Sequence, residues 1–284
     1  MYKIGIVGNG YVGGAVAHGF SPTSTGNCDV KVYDKMPERS LNTLDEVVNE
    51  SDFVFVSVPT PMTKKGSISL RYINQVFKEI NGINRRLDNI IILKSTVVPG
   101  TTEKLQEKFP SLNIVFNPEF LTERSAKFDF INQARFIVGG KKRDADKVEE
   151  LFRWRFGYTT PIIKTNYETA ELIKYMNNCF FATKVSFLNE MYQIADACGV
   201  DWDMAVEGFV RDGRVGHSHM NVPGPDGKFG FGGSCFPKDI QAMIHFANSL
   251  GVEPSVLNGA WDKNLDVRPE KDWKKLKGRA VVDE

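Results

Sequence analysis

The chain has 284 residues, 42% of them hydrophobic and 25% charged, a composition that suits a globular protein with a sizeable buried core. Lysine and arginine number 36 against 35 for aspartate and glutamate, a net charge of +1 that gives no reason to expect nucleic acid or an anionic membrane as partner. No apolar run reaches the roughly 18 residues of a membrane span, MYKIGIVGNG is too glycine-broken for a signal peptide, and Cys28, Cys179, Cys198 and Cys235 show no CxxC pair or zinc spacing, so a cytoplasmic protein is expected.

In chain order, residues 3–8, 30–34, 53–58, 89–96, 112–117 and 134–140 read as strands. Several lack period-two alternation, which predicts a parallel sheet covered on both faces. Amphipathic stretches such as 68–81 and 101–109 lie between them, and this β/α rhythm predicts a doubly wound sheet.

The second half changes character. From Asn166 to about Ala197 no proline or glycine interrupts a helical pattern, and Gly199 suits its end. Leu172, Met176, Phe180, Thr183, Phe187, Met191, Ile194 and Cys198 recur at steps of three or four, one apolar face. Such a helix is roughly 50 Å long, more than one domain needs, so it is expected to bridge domains or build a dimer interface. Residues 211–235 read as irregular and glycine-rich. A helix over 238–250 is expected to bury Ile240, Met243, Ile244, Ala247 and Leu250, and the tail RAVVDE reads as the start of a strand. The expected plan is a Rossmann-type domain over 1–162 and an all-helical substrate and dimerisation domain over 163–284.

Three patterns carry chemistry. The first is GNGYVG (8–13), between a strand and a helix. Gly8 permits the tight turn, Gly10 lets backbone approach a pyrophosphate, and Gly13 lets the helix pack on the strand, with Tyr11 and Val12 opening that helix. Asp34 ends the next strand, where a carboxylate accepts from the ribose hydroxyls and repels a 2′-phosphate. NAD is therefore expected over NADP, a preference that Lys35 softens. Thr60, at the end of FVFVSVPTP, is placed to touch the cofactor, although an ordinary proline-bounded turn explains it as well.

The second pattern is FGFGGSCFPKD (229–239): a cysteine after flexible glycines, at the mouth of a helix and beside lysine, where a thiolate is favoured. A small buried residue in a turn is the plainer reading of Cys235. The third is a scatter of polar side chains among apolar ones. Lys174 and Asn178 share one helical face, Glu119 and Glu123 follow an Asn-Pro turn, and Thr96 ends a strand. A solvated lysine, helix-capping acids and a plain strand threonine explain these without any site. His217 and His219 have no companions that make a metal site, and none is expected.

Taken together, GNGYVG, VPTP, KSTVVPGTT, NPEFLTE, ELIKYMNNCFFATKVSFLNE, DGRVG and GFGGSCFPKD, in that order, resemble the UDP-glucose 6-dehydrogenase family within the UDP-glucose/GDP-mannose dehydrogenases. The resemblance implies a four-electron oxidation of a UDP-sugar C6 alcohol to a uronic acid, with NAD as cofactor and Cys235 forming a thiohemiacetal and then a thioester. It implies oxyanion stabilisation by Lys174 and Asn178, proton handling by Asp239 with Thr96 and a water, and thioester hydrolysis assisted by Glu119. Glu123 and Lys238 are implied as sugar or cofactor contacts, Phe120, Leu121, Phe231, Gly232 and Gly233 as sugar lining, and Arg214 as a residue reaching a dimer partner's nucleotide. Members carry a third, C-terminal domain over the uridine diphosphate; a short form lacking it is expected here. Two rivals stand beside this expectation: a single-hydride 3-hydroxyacid-type dehydrogenase with no use for Cys235, and a non-catalytic nucleotide-sugar or NAD-binding protein.

Overall fold

The computed structural model describes residues 1–283. Seven strands form one sheet: β1 (Tyr2–Val7), β2 (Cys28–Tyr33), β3 (Phe53–Val56), β4 (Ile90–Leu93), β5 (Ile114–Phe116), β6 (Phe136–Gly140) and β7 (Ile162–Thr165). Their spatial order is β2-β1-β3-β4-β5-β6-β7. All pairs are parallel except β5 with β6. Every residue of β3 and β4 is buried, which is why FVFV and IIIL show no alternation.

The helices between these strands are α1 (Tyr11–Phe20), α2 (Pro22–Thr25), α3 (Leu44–Asn49), α4 (Arg71–Ile83), α5 (Thr101–Lys108), α6 (Ala126–Ile131) and α7 (Lys142–Phe156). Phe20, Phe55, Phe130, Phe136 and Phe152 lie in one apolar core with Ile4, Ile6, Ile90 and Ile92. The chain then continues in α8 (Tyr167–Cys198), α9 (Trp202–Val210), α10 (Phe236–Ser249) and α11 (Ser255–Val267).

Two compact units divide the chain: Met1–Thr60 with Leu70–Lys174, and Pro61–Ser69 with Tyr175–Glu284. The division falls inside α8, and β7 carries the sheet past the expected boundary at 162. In the second unit, Leu188, Val210, Met220 and Val222 form a core with Tyr192 and Trp202 against it.

Four expectations need correction. The sheet is mixed, because β6 returns antiparallel to β5 through a connection holding only the short α6. Edge strand β7, half exposed, offers no buried apolar run and is invisible to that criterion. The tail is no strand: Val281 makes isolated bridges to Met62 and Lys277, and Glu284 lies outside the described residues. The segment Pro61–Ser69 belongs to the second unit, where the Met62 N–H donates to the Ala280 carbonyl at 2.9 Å.

The fourth concerns the inner face expected of α10, from which Leu250 is excluded. On α8 the apolar positions Met176, Phe180, Phe187 and Ile194 are exposed, whereas Glu171, Lys174, Asn178, Ser186 and Asn189 are buried. On α10 the buried positions are Pro237, Lys238, Asp239, Ile240 and Ala242, while Leu250 is exposed. Both helices thus cover polar side chains that apolar periodicity does not mark, beside apolar ones such as Tyr175, Ala182 and Leu188 on α8 and Ile240 on α10. Among the described residues no helix is long and apolar enough to cross a membrane.

Candidate active site

The strands stop earlier than their apolar runs imply, and this places the first group of polar residues. β1, β3 and β4 end at Val7, Val56 and Leu93, so the segments after them become loops beyond the carboxyl ends of parallel strands, where open α/β sheets bind ligands. Gly8 has φ 92°, open to glycine and strained for other residues. A Cβ on Gly13 would stand 1.9 Å from the Gly8 carbonyl oxygen, so only glycine lets α1 approach its strand this closely. Gly10 is the N-cap residue of α1, and a Cβ there would meet nothing within 4 Å. The helix end is therefore open to an anion.

Asp34 directly follows β2 and bonds the loop from outside, accepting from Asn9 N at 2.6 Å and Met36 N at 2.9 Å. Lys35 beside it is exposed, and Tyr11 and Val12 are half-buried in the first turn of α1. Open space at Gly10, close packing at Gly13 and a carboxylate at the strand end fit a dinucleotide.

The loops after β3 and β4 meet directly. Thr60 Oγ1 donates to the Thr96 carbonyl at 2.9 Å, both residues buried, so these two expected site residues are neighbours. Beyond β5, the 117–121 turn presents Glu119, which is 5% exposed. Lys174 Nζ donates to Glu119 Oε1 at 3.1 Å, and Leu121 N donates to Oε2 at 2.7 Å. Burial would push this carboxyl upward, but the Lys174 ammonium, the Leu121 amide and Lys94 together hold it below the usual glutamate range.

Phe120 lies between two cations, with Arg135 4.3 Å and Lys174 5.5 Å from its ring centre. Leu121 is buried and Glu123 exposed. Lys174 is thus a desolvated cation inside the first unit, not a solvated surface lysine.

In the second unit the cysteine loop leads straight into a helix. Cys235 is the N-cap residue of α10, half-buried, and its carbonyl accepts from Asp239 N at 2.9 Å. α10 begins two residues before the expected Lys238, because Phe236 and Pro237 occupy its first turn, where a missing N–H is tolerated. Lys238 and Asp239, both buried, form an ion pair, and Asn178 Nδ2 donates to Asp239 Oδ2 at 2.6 Å. Cys235 and Asp239 therefore stand one turn apart on a helix whose first turn holds a buried ion pair.

The glycine loop is held by residues that sequence reasoning missed. Asn264 brackets the Phe231 peptide, its Oδ1 accepting from Phe231 N at 2.7 Å and its Nδ2 donating to Phe231 O at 3.0 Å. Asn189 Oδ1 accepts from Gly230 N at 3.0 Å. Arg268 bonds Asp226, Asp272 and the Phe229 carbonyl, and a Cβ on Gly232 would stand 2.4 Å from its guanidinium. Gly232 is therefore fixed by Arg268, while Gly233 is exposed. No local motif marks Asn264 or Arg268, which lie about thirty residues downstream of the loop they support. Arg214 is 91% exposed and forks onto Asp212.

Comparison with known proteins gives these motifs a context. A family model described as the UDP-glucose/GDP-mannose dehydrogenase family, NAD binding domain, matches residues 31–155, and the model of that family's central domain matches 168–266. The UDP-glucose 6-dehydrogenase TuaD of Bacillus subtilis (strain 168) is 33% identical over 93% of this chain and 63% of its own length. The UDP-glucose 6-dehydrogenase AglM of Haloferax volcanii is 34% identical, over 86% of this chain and 59% of its own length. The solved UDP-glucose dehydrogenase of the hyperthermophilic archaeon Pyrobaculum islandicum superposes with a TM-score of 0.80 at 29% identity, covering 93% of this chain and 68% of that one. The chain spans less than two thirds of the length of these two curated relatives.

Proposed function

Since the chain belongs to the UDP-glucose/GDP-mannose dehydrogenase family and carries its NAD-binding domain, we propose that it oxidises the C6 alcohol of a nucleotide sugar to the carboxylate, UDP-glucose to UDP-glucuronate. The observation that carries this reading is Cys235 at the N-cap of α10, one turn from a buried Asp239 held by Lys238 and Asn178. A single-hydride dehydrogenase has no use for a thiol at that position.

The Gly8–Gly13 loop and Asp34 would hold NAD, which would supply a hydride acceptor for each of two oxidations. The chain's own residues supply the rest. Asp239, through a water that Thr96 helps to order, takes the proton of the C6 hydroxyl as the aldehyde forms. The Cys235 sulfur then adds to the aldehyde carbon, and the new C–S bond leaves a tetrahedral thiohemiacetal with one hydrogen still to lose. Loss of that hydrogen as hydride, and of the hydroxyl proton to water, leaves a thioester on Cys235.

Water, with Glu119 accepting its proton, adds to the thioester. The C–S bond breaks, the acid is released and the sulfur regains a proton. Lys174 and Asn178, one turn apart on α8, would stabilise the oxyanion at each tetrahedral stage; removing one such donor typically costs about 3–4 kcal/mol in the transition state. Burial of Lys174 and of Asn178 supports that role, because neither is a solvated surface group.

Glu123 and Lys238 are proposed as sugar or cofactor contacts, with Phe120, Leu121 and the 231–233 backbone lining the sugar. The exposed apolar face of α8 supports a homodimer through that helix, from which Arg214 would reach the partner's nucleotide. The reaction is proposed to run in the cytoplasm, a setting that suits a chain whose four cysteines form no disulfide.

Counting NADH released per UDP-glucose consumed, with NAD in excess, tests the reading. Two supports it, one favours a single-hydride dehydrogenase, and none favours a binding protein.

A further inference from the structure

Lys94 is a lysine buried to 1% exposure just after β4, in the first unit and outside every step of the proposed reaction. A buried ammonium is costly unless its protons are bonded. Here Nζ donates to Asn117 Oδ1 at 2.7 Å and to the Asn117 carbonyl at 3.2 Å. Asn117 is tied in turn to its neighbours on both sides. Its N–H donates to the Leu93 carbonyl at 2.9 Å, and its Nδ2 donates to the Ile137 carbonyl at 2.7 Å. Lys94 and Asn117 therefore clasp the ends of β4, β5 and β6 at the point where the 117–121 turn departs with Glu119.

Lys94 also acts through charge. It helps to hold Glu119 ionised, Glu119 favours its charged form, and Lys174 opposes it. The Phe130 ring, 6.0 Å from Nζ, closes another side. The polar cluster thus holds two lysines to one carboxylate.

We propose, resting on the function given above, that Lys94 is a positioning residue of the reaction: with Asn117 it fixes the turn that carries Glu119 without touching the substrate. Burial pushes its ammonium down to about 7, with Lys174 adding to the effect and Glu119 opposing it, so Lys94 changes charge near neutrality. The folded protein then binds fewer protons than the unfolded chain between about 7 and the ordinary lysine value of about 10.4, and stability gains with rising pH across that window.

The test compares the wild-type protein with Lys94→Met in two measurements: Tm from pH 6.5 to 9.5, and kcat for UDP-glucose oxidation over the same range. Lys94→Met should lose the alkaline gain in Tm. Its kcat should fall about tenfold or more, less than the 10²–10³ lost with a donor that touches the reacting oxygen, with KM changed far less and the pH-rate limb near 7 gone. Asn117→Asp serves where Lys94→Met fails to fold. It sets a carboxylate against the ammonium and should move the same limb upward by about one unit or more. A Lys94→Met protein that keeps the wild-type Tm slope and the wild-type pH-rate profile overturns the proposal, as does an Asn117→Asp protein with an unmoved limb. A wild-type protein that releases no NADH overturns the proposed function instead.

Discussion

The Asn178 amide nitrogen lies 2.6 Å from Asp239 Oδ2, an α8 side chain bonded to an α10 carboxylate with both groups buried. The amide donates, and Lys238 bonds the other carboxylate oxygen. A neutral donor on one side and a cation on the other hold Asp239 in one orientation at the start of the helix that Cys235 caps.

Replacing that donor by an acceptor should therefore be worse than removing it. Asn178→Asp sets two carboxylates against each other, and such a pair resists double ionisation. Its kcat/KM should lie below that of Asn178→Ala, with the gap narrowing as pH falls. Parallel profiles for the two variants would refute this geometry as the cause.

Cys235→Ala should make no uronate yet bind NAD within about twofold of the wild-type protein, since the thiol is needed for the covalent stage and not for the dinucleotide. Product chromatography and an NAD titration check the two halves separately. Uronate at the wild-type level would discard the thioester route.

Glu171 gives a pH prediction for the first unit. Its carboxylate accepts from Gly100 N and Thr102 N, each at 2.7 Å, and pairs with Thr102 Oγ1, which ties the start of α8 to the N-terminus of α5. Burial nevertheless pushes its carboxyl up to about 7, against the pull of those donors. The folded protein then holds a proton that the unfolded chain has released between about 4.3 and about 7, so this residue's contribution makes stability fall as pH rises through that window. Glu171→Gln removes the titration. Its Tm should vary less than the wild-type value between pH 5 and 7.5, and an equal slope would show that Glu171 does not titrate there.

Two glycines in one loop should fail differently. Gly13→Ala drives a methyl into the Gly8 carbonyl, 1.9 Å away, and should lower stability by about 1–3 kcal/mol as well as weaken NAD binding. Gly10→Ala meets no protein atom within 4 Å and should leave Tm unchanged while weakening NAD, because its methyl stands in the space a pyrophosphate needs. Calorimetry and NAD titration on both variants separate a folding defect from a binding defect.

Much of this was legible beforehand. Strands β3 and β4 announce themselves because burial on both faces removes alternation, and α8 because 32 residues pass without a breaker. GNGYVG and GFGGSCFPKD are local patterns whose glycines act on their own turns. The faces of α8 and α10 were not legible in the same way. Periodicity identifies a stripe of like residues but not what that stripe meets. Here the polar stripe is covered, because Lys174 finds Glu119 in the first unit and Asn178 finds Asp239 in the second.

The order of residues along the chain was enough to specify the β/α alternation, the glycine turn, the carboxylate after β2 and the cysteine at a helix mouth, since each is decided by neighbours within a few positions. Only the folded chain decided that Lys94 clasps Asn117, that Glu171 caps α5 from α8, and that Asn264 and Arg268 frame the glycine loop. Each of these joins residues more than twenty positions apart. A buried charge is tolerable only where distant partners converge on it, and that convergence belongs to packing, not to spacing along the chain.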